Sequence, residues 1–368
     1  MNNTLLILLF IFILYFIFFE SLLLPFESLL LPLDEKKQKK ITYFTDESPG
    51  RGMNIVLNDY NFVKVDNNGD FFFTHNYNQC EQTAKSLVNS KCKYMSVTEG
   101  CDIIGSKIAL WKVLKNKYGN DASKIMPKTY LYENENDINE LKKEIETSTI
   151  KKIYVLKNYN QRQEGIKLVN SWDDIISKEN KEKFLLIQQY LYDPLIISKR
   201  KVNCRVYFLT VCKNDRLYGY IYYNGFMYYT PEFYDPESLV FDKHITTGYI
   251  DRKVYDENPL TLEDLRNYLG KDKADLFDRN LKQMMNKLLN AMKNYMCQNK
   301  DLQSKIRFQI YGVDIAPTSN LDIFLMEVNK GPDLNPKDSK DSDLKINMQS
   351  EMLKVLFNLH DNQKFIEV

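Results

Sequence analysis

An α/β (α+β) fold is predicted for this chain, and three observations predict it. Short apolar runs of strand length alternate with stretches of helical periodicity from about residue 41 onward. Two strand-like runs near the carboxyl end close on a turn-like segment, the pattern of a hairpin. At 368 residues, 44% hydrophobic and 13% aromatic, the chain can pack cores for two or three domains. Charge narrows the function classes: 50 Lys and Arg stand against 49 Asp and Glu, a net charge of +1, so no nucleic-acid partner is expected. Six cysteines (Cys80, Cys92, Cys101, Cys204, Cys212, Cys297) carry no CxxC pair and have only three histidines beside them, which argues against structural zinc. They read as buried or indifferent free thiols of a reducing compartment.

Residues 1–40 are a hydrophobic leader with a basic flank. Leu5 to Phe19 is unbroken and apolar, and FESLLLP occurs twice, from Phe19 and from Phe26. The run alone is shorter than the roughly 20 residues of a spanning helix, but Leu22 to Leu24 extend it past Glu20. No basic residue precedes it and no small-residue cleavage site follows, so a membrane anchor is favoured over a signal peptide or mistranslated upstream sequence. Lys36, Lys37, Lys39 and Lys40 would keep the body in the cytoplasm, which is also where an uninserted or untranslated leader would leave a soluble protein.

Residues 41–130 are expected to form an amino-terminal α/β subdomain. Asn54–Leu57, Phe62–Val65 and Asp70–Thr74 read as strands, and Cys101–Tyr118 as a helix ending at Gly119 and containing Lys107. A central subdomain, 131–198, opens with the charged helix Asp137–Glu146. Lys157 ends a strand before a polar loop that returns at Gly165, a shape able to fold amides and one ammonium over phosphates, although an ordinary hairpin with an exposed lysine has the same pattern. Phe184–Leu191 is a buried strand whose polar interruption, Gln188, Gln189 and Tyr190, could offer its backbone to an adenine edge.

The carboxy-terminal subdomain, 199–368, begins with Lys201, Asn203 and Arg205 at alternate positions of one strand, either a solvent face or a wall for ribose and phosphate. Leu217–Tyr234 reads as a hairpin turning at Asn224-Gly225. His244, in a loop with Thr246 and Thr247, is structural or catalytic. Thr261 and Asp264 suggest a capped helix that stops at Gly270, and Met284, Leu288, Leu289, Met292 and Met296 are the core stripe of a helix over Leu276–Cys297. Asp341–Lys345 lead into a terminal helix, Asn347–Leu359.

The organising stretch is Gly312 to Leu334. Asp314 follows a β-rich run from Ile306 to Val313, a turn spans Pro317 to Asn320, and Ile323 to Val328 returns. Glu327 and Asn329 are two apart, hence on one face of a strand, and the hairpin can bring Asp314 close to them. Such a trio of hard oxygen donors suits magnesium, and a solvated strand edge is the alternative.

In this order, the blocks from about Lys107 to Leu359 resemble the tubulin-tyrosine ligase family of the ATP-grasp superfamily. The resemblance implies an ATP-grasp fold with amino-terminal, central and carboxy-terminal subdomains. It places Lys157 at the phosphate loop, Gln188, Gln189, Tyr190 and Leu191 at adenine, and Lys201, Asn203 and Arg205 at ribose and phosphates. His244, Thr246 and Thr247 would lie near the nucleotide, and Asp314, Glu327 and Asn329 would hold Mg2+, with Glu327, Arg205 and Lys157 carrying catalysis. Lys107 would match a further lysine of the family. The reaction implied is phosphorylation of a protein carboxylate by ATP, followed by attack of a free amino acid's amine to form an amide. Tubulin or another acidic protein tail would be the partner and the protein a monomer; the alternative is a nucleotide-binding pseudo-ligase that docks on such a partner without turnover. Four positions depart from the family pattern: Gln163 for a loop glycine, Asn203 for Asp, Thr247 for Asn and Tyr228 for an arginine.

Overall fold

A computed structural model describes residues 40–74, 77–150, 152–158, 165–248, 250–335, 338–358 and 364–368. The expected membrane anchor and Gln163 lie outside them. Among the described residues no helix is long and apolar enough to cross a membrane. Ile41–Val368 forms one compact unit.

The architecture is mixed α/β, with two sheets. The strands, in chain order, are β1 (Thr42–Thr45), β2 (Val63–Lys64), β3 (Phe71–Phe73), β4 (Tyr94–Met95), β5 (Thr129–Leu131), β6 (Tyr154–Lys157), β7 (Ile166–Val169), β8 (Leu186–Gln189), β9 (Ile196–Ile197), β10 (Arg200–Lys213), β11 (Arg216–Tyr229), β12 (Ile306–Pro317), β13 (Ile323–Asn329) and β14 (Phe365–Glu367). A ten-stranded sheet runs β14-β11-β10-β12-β4-β3-β1-β2, with β13 also on β12 and β9 on β10; a four-stranded antiparallel sheet runs β5-β8-β6-β7. The long strands β10 to β13 pair antiparallel, whereas β1 to β4 join the sheet in parallel.

Strand alternation decides which face goes where. On β10, Val202, Cys204, Val206 and Phe208 point into a core shared with the helices Lys107–Tyr118 and Lys271–Met292. Tyr207, Leu209 and Val211 point into a second core, closed by the helices Arg51–Asp59 and Ser339–Phe357. Met284, Leu288, Leu289 and Met292 are buried, as the helical stripe requires, and Met296, past the end of the helix, is buried as well. The hairpin of β12 and β13 is present, and Thr261 and Asp264 form a capping box on the helix Leu262–Leu269, which ends at Gly270.

Several expectations are corrected. Asn54–Leu57 is helical, within Arg51–Asp59: Met53, Val56 and Leu57 share a face that packs on the terminal helix, and so short an apolar run fits either period. The helix expected over Cys101–Tyr118 is interrupted by Ser106, whose hydroxyl caps Ala109 N of the second piece. The long helix starts earlier, at Lys271, and ends at Met292, and the terminal helix begins at Ser339, capped by Asp338. Asn224-Gly225 is not a turn, because β11 runs through it. The turn is Asn214-Asp215, both left-handed with φ of 50° and 58°. Gly225 instead allows close approach at an irregularity of the ladder, since a Cβ there would sit 2.1 Å from Arg205 O. Finally, the cysteines are not all free. Cys212, at the end of β10, is disulfide-bonded to Cys297 across a separation of 85 residues, a pairing set by tertiary contact; Cys80, Cys92, Cys101 and Cys204 are free and buried.

Candidate active site

Near its start, the second face of β10 is not covered by helices but opens on a cavity of about 920 Å³ between the two sheets. Lys201, Asn203, Arg205 and Tyr207 line it at alternate positions. Register then spreads the wall sideways: Arg205 faces Phe226 on β11 and Asp314 on β12, Asp314 faces Glu327 on β13, and Gly312 faces Asn329. A register shift after Asp314 gives β13 an extra residue, and Met326 and Glu327 both reach the cavity. The four-stranded sheet supplies the opposite wall with Lys157, Gln188, Gln189, Tyr190 and Leu191, and a loop supplies His244, Thr246 and Thr247. Every residue expected to be catalytic, nucleotide-binding or metal-binding therefore borders one cavity. Lys107 reaches it through Glu327, Nζ to Oε2 at 3.7 Å.

Part of the cavity is apolar, where Val155, Ile166 and Ile245 of its lining pack together with Tyr190. Beside it the polar groups are tightly partnered. Lys157 Nζ donates to Gln188 Oε1 at 2.6 Å, and Gln188 Nε2 donates to Thr129 Oγ1 at 2.9 Å. Gln189 Nε2 donates to Glu144. Lys201 Nζ donates to the Tyr190 hydroxyl at 3.2 Å. His244 Nε2 lies 2.7 Å from Ser238 O, which can only accept, so Nε2 carries the hydrogen and Nδ1 accepts from Tyr190 OH at 2.8 Å. Burial pulls Lys157 down to about 8, with Glu327 and Asp314 acting in the opposite direction, and burial together with nearby Lys157 pulls Lys201 down to about 7. Burial also lowers His244, which favours its neutral form.

At the middle of the cavity Arg205 grips Asp314, Nε to Oδ1 at 2.5 Å and Nη2 to Oδ2 at 3.1 Å, while its guanidinium lies 5.6 Å from the Tyr228 ring. Asp314, Glu327 and Asn329 offer two carboxylates and an amide; among the described residues no three His, Cys, Asp or Glu side chains gather to hold a metal. The donor set fits magnesium, which takes few protein oxygens and shares the rest with water and phosphate. Both carboxylates are answered here by cations, Asp314 by Arg205 and Glu327 by Lys107.

The far end holds residues that sequence reasoning does not select: Tyr207, Arg252, Asp338, Asp341 and Lys345. Lys345 is buried and donates to Asn335 O at 2.9 Å and to Asp341 Oδ2 at 3.0 Å. One usable signal is the Asp341/Lys345 spacing of i,i+4 at the start of the helix that follows β13.

A family model described as the tubulin-tyrosine ligase family matches residues 85–364. The chain belongs to that family. The mixed α/β architecture agrees with the ATP-grasp-like fold of tubulin-tyrosine ligases. It is 25% identical over 278 residues to tubulin monoglutamylase TTLL4 of Mus musculus, covering 70% of this chain and 22% of the relative. It is 24% identical over 271 residues to tubulin glycylase 3E of Tetrahymena thermophila (69% and 19%), and 25% over 319 residues to a probable beta-tubulin polyglutamylase of the same organism (78% and 26%). The chain thus spans about a fifth to a quarter of the length of these relatives. Set against the family pattern, Asn203, Thr247 and Tyr228 border the cavity and bring no full charge to it. Asn203 Oδ1 is buried without a hydrogen-bond partner among the described residues, an acceptor left for a ligand hydroxyl.

Proposed function

We propose that this chain is an ATP-dependent carboxylate–amine ligase that joins a free amino acid to a protein carboxylate, with an acidic tubulin tail as acceptor. One observation carries the reading: two buried lysines, an arginine and the Asp314, Glu327, Asn329 trio converge on one cavity that has an apolar slot. The names of the relatives, tubulin monoglutamylase and tubulin glycylase, support tubulin as acceptor. In this reading 41–130, 131–198 and 199–368 are the amino-terminal, central and carboxy-terminal subdomains.

The base would enter the apolar slot beside Tyr190 and Leu191, and Asn203 Oδ1 would accept from the ribose. Lys157, Lys201 and Arg205 would face the phosphates and favour the charge that shifts during transfer. Magnesium, when bound by Asp314, Glu327 and Asn329, would supply further charge neutralisation on the phosphates. The acceptor carboxylate oxygen attacks the terminal phosphorus, and ADP leaves. The amine nitrogen then attacks the acyl carbon of the acyl phosphate, phosphate leaves, and the nitrogen gives up a proton as the amide forms. No protein nucleophile is needed, so the chain's work is holding and neutralising.

The test is to incubate the full chain with magnesium, ATP, tubulin and, separately, labelled tyrosine, glutamate and glycine, with Glu327→Ala alongside. Incorporation of one label, lost in Glu327→Ala, is the expected result. Tyr228, Asn203 and the Arg205–Asp314 pair favour a second reading, a nucleotide-binding pseudo-ligase. Magnesium-dependent ATP binding with no incorporation would select it.

A further inference from the structure

A ligand carrying several negative charges needs cations that are not already spent. Among the described residues four cations that line this cavity are held in ion pairs: Arg205 with Asp314, Lys345 with Asp341, Lys330 with Asp102 and Arg252 with Asp338. The pairs differ in how firmly they are held. The side chain of Lys345 is 4% exposed and that of Arg205 17%, but that of Arg252 is 53%, against an Asp338 that is 40% exposed. An exposed pair contributes little, so exchanging its carboxylate for a ligand oxygen costs little. Arg252 is therefore the cation readiest to change partner.

Its place in the cavity says which part of a ligand it meets. Passing along β10 from the apolar slot, a chain of phosphates meets Lys201, then Asn203, then Arg205. Arg252 also lines the cavity, from the side of β11, where it pairs with Asp338 at the cap of the terminal helix and its guanidinium lies 5.2 Å from the Tyr255 ring. Tyr255 OH donates to Met227 O at 3.0 Å, which ties this loop to the strand carrying Tyr228. Tyr228 itself faces the cavity opposite Asn203 and supplies no permanent charge.

We infer that Arg252 leaves Asp338 to bind the terminal phosphate of the nucleotide, supplying the charge that position 228 lacks. This rests on the reading that the cavity holds ATP, and deepens it. Arg252 and Asp338 then act as an exchangeable latch: the carboxylate holds the guanidinium in place until a phosphate replaces it, and Tyr255 keeps the guanidinium plane oriented in both states.

The test is competition of ATP, ADP and AMP against a fluorescent ATP analogue on the full chain with magnesium, comparing wild type, Arg252→Ala, Arg252→Lys and Arg252→Ala/Tyr228→Arg. One charge-assisted contact to the terminal phosphate predicts a loss of roughly 10- to 100-fold in ATP affinity for Arg252→Ala, with ADP and AMP unchanged. Arg252→Lys should lose less, and Tyr228→Arg should restore part of the preference for ATP. Equal losses for ATP and ADP, or no loss, would overturn the inference, as would a wild type that binds no nucleotide. Retained ADP binding shows that a variant has folded. Absence of amino acid incorporation by wild type, with the ATP-specific loss intact, would sink the ligase reading and leave the Arg252 assignment standing.

Discussion

Arg205 and Asp314 face each other across β10 and β12 and are joined by two parallel hydrogen bonds, at 2.5 Å and 3.1 Å. The pair sits where the proposed metal and phosphate sites meet, so Asp314 has two claims on it. Arg205→Lys keeps the charge but cannot make the forked contact. Its Asp314 would be less firmly held, so magnesium should support nucleotide binding at lower concentration while any transfer rate falls. A magnesium titration of nucleotide binding checks this, and an unchanged midpoint would count against competition between Arg205 and the metal.

Protonation gives a second prediction. Lys201 and Lys157 are drawn down to about 7 and about 8, below the value of about 10.4 for a free lysine. Between these values the unfolded chain binds more protons than the folded one, so stability of the ligand-free protein rises as pH increases from about 7 toward about 10. A phosphate ligand needs the charged lysines, so nucleotide affinity should fall over the same interval. Lys201→Met should bind more weakly near pH 7 and show a flatter profile. Thermal unfolding and nucleotide titration across that range read both slopes, and parallel slopes would contradict the assignment.

Gly225→Ala tests the irregularity in β11. The new Cβ would meet Arg205 O at 2.1 Å, so the strands must part just where Arg205 is positioned. A cost of about 2 kcal/mol or more in urea denaturation, with weaker nucleotide binding, is expected. A neutral substitution would mean the close approach is not required.

The same glycine shows what the sequence could reveal. Asn-Gly between aromatic strands has the local signature of a hairpin turn, and only the register of β10 on β11 shows it serving a bulge, with Asn224 Oδ1 accepting from Glu263 N of the next helix. Local chemistry was legible where one element settles it, as in the Thr261 capping box, the Met284 to Met292 part of the helical stripe and the Asp314 to Asn329 hairpin. The far end of the cavity was not legible, because Arg252, Asp341 and Lys345 come from a loop and a helix whose meeting is a tertiary fact. Motif order brought the remaining site residues to attention, since Lys157, Gln188 and His244 carry no signal alone.

The Cys212–Cys297 bond was illegible for the same reason, and it can be counted. Protein denatured without reductant should expose four reactive thiols, and six after reduction. Closing a loop of 85 residues stabilises by about 4.6 kcal/mol in the chain-entropy account, so Cys212→Ser should unfold at markedly lower urea. Six reactive thiols without reductant would remove the bond from the description.

Arg307 is fully buried in the sheet between β10 and β4, and its Nη1 donates to Glu99 Oε1 at 2.9 Å and Asn299 O at 3.3 Å. Burial raises the Glu99 carboxyl and lowers the Arg307 guanidinium, so each ion is tolerated because the other is present. The pair is incompletely satisfied, since Glu99 Oε2 and Arg307 Nε and Nη2 lack partners among the described residues. Removing one partner, as in Arg307→Met or Glu99→Leu, should therefore cost about 3–5 kcal/mol, because a charge is left buried and alone. Removing both should cost less than either single change, because no charge remains to desolvate. A double-mutant cycle in urea reads the difference directly. The pair also bears on the site: two positions along β12, Gln309 accepts from Thr98 N and donates to Lys330 O at 2.9 Å, beside Asn329. If the double variant regains stability but loses magnesium-dependent nucleotide binding, the buried ions are kept for aligning β12 and β13 at the proposed metal site; if it regains both, they contribute to neither.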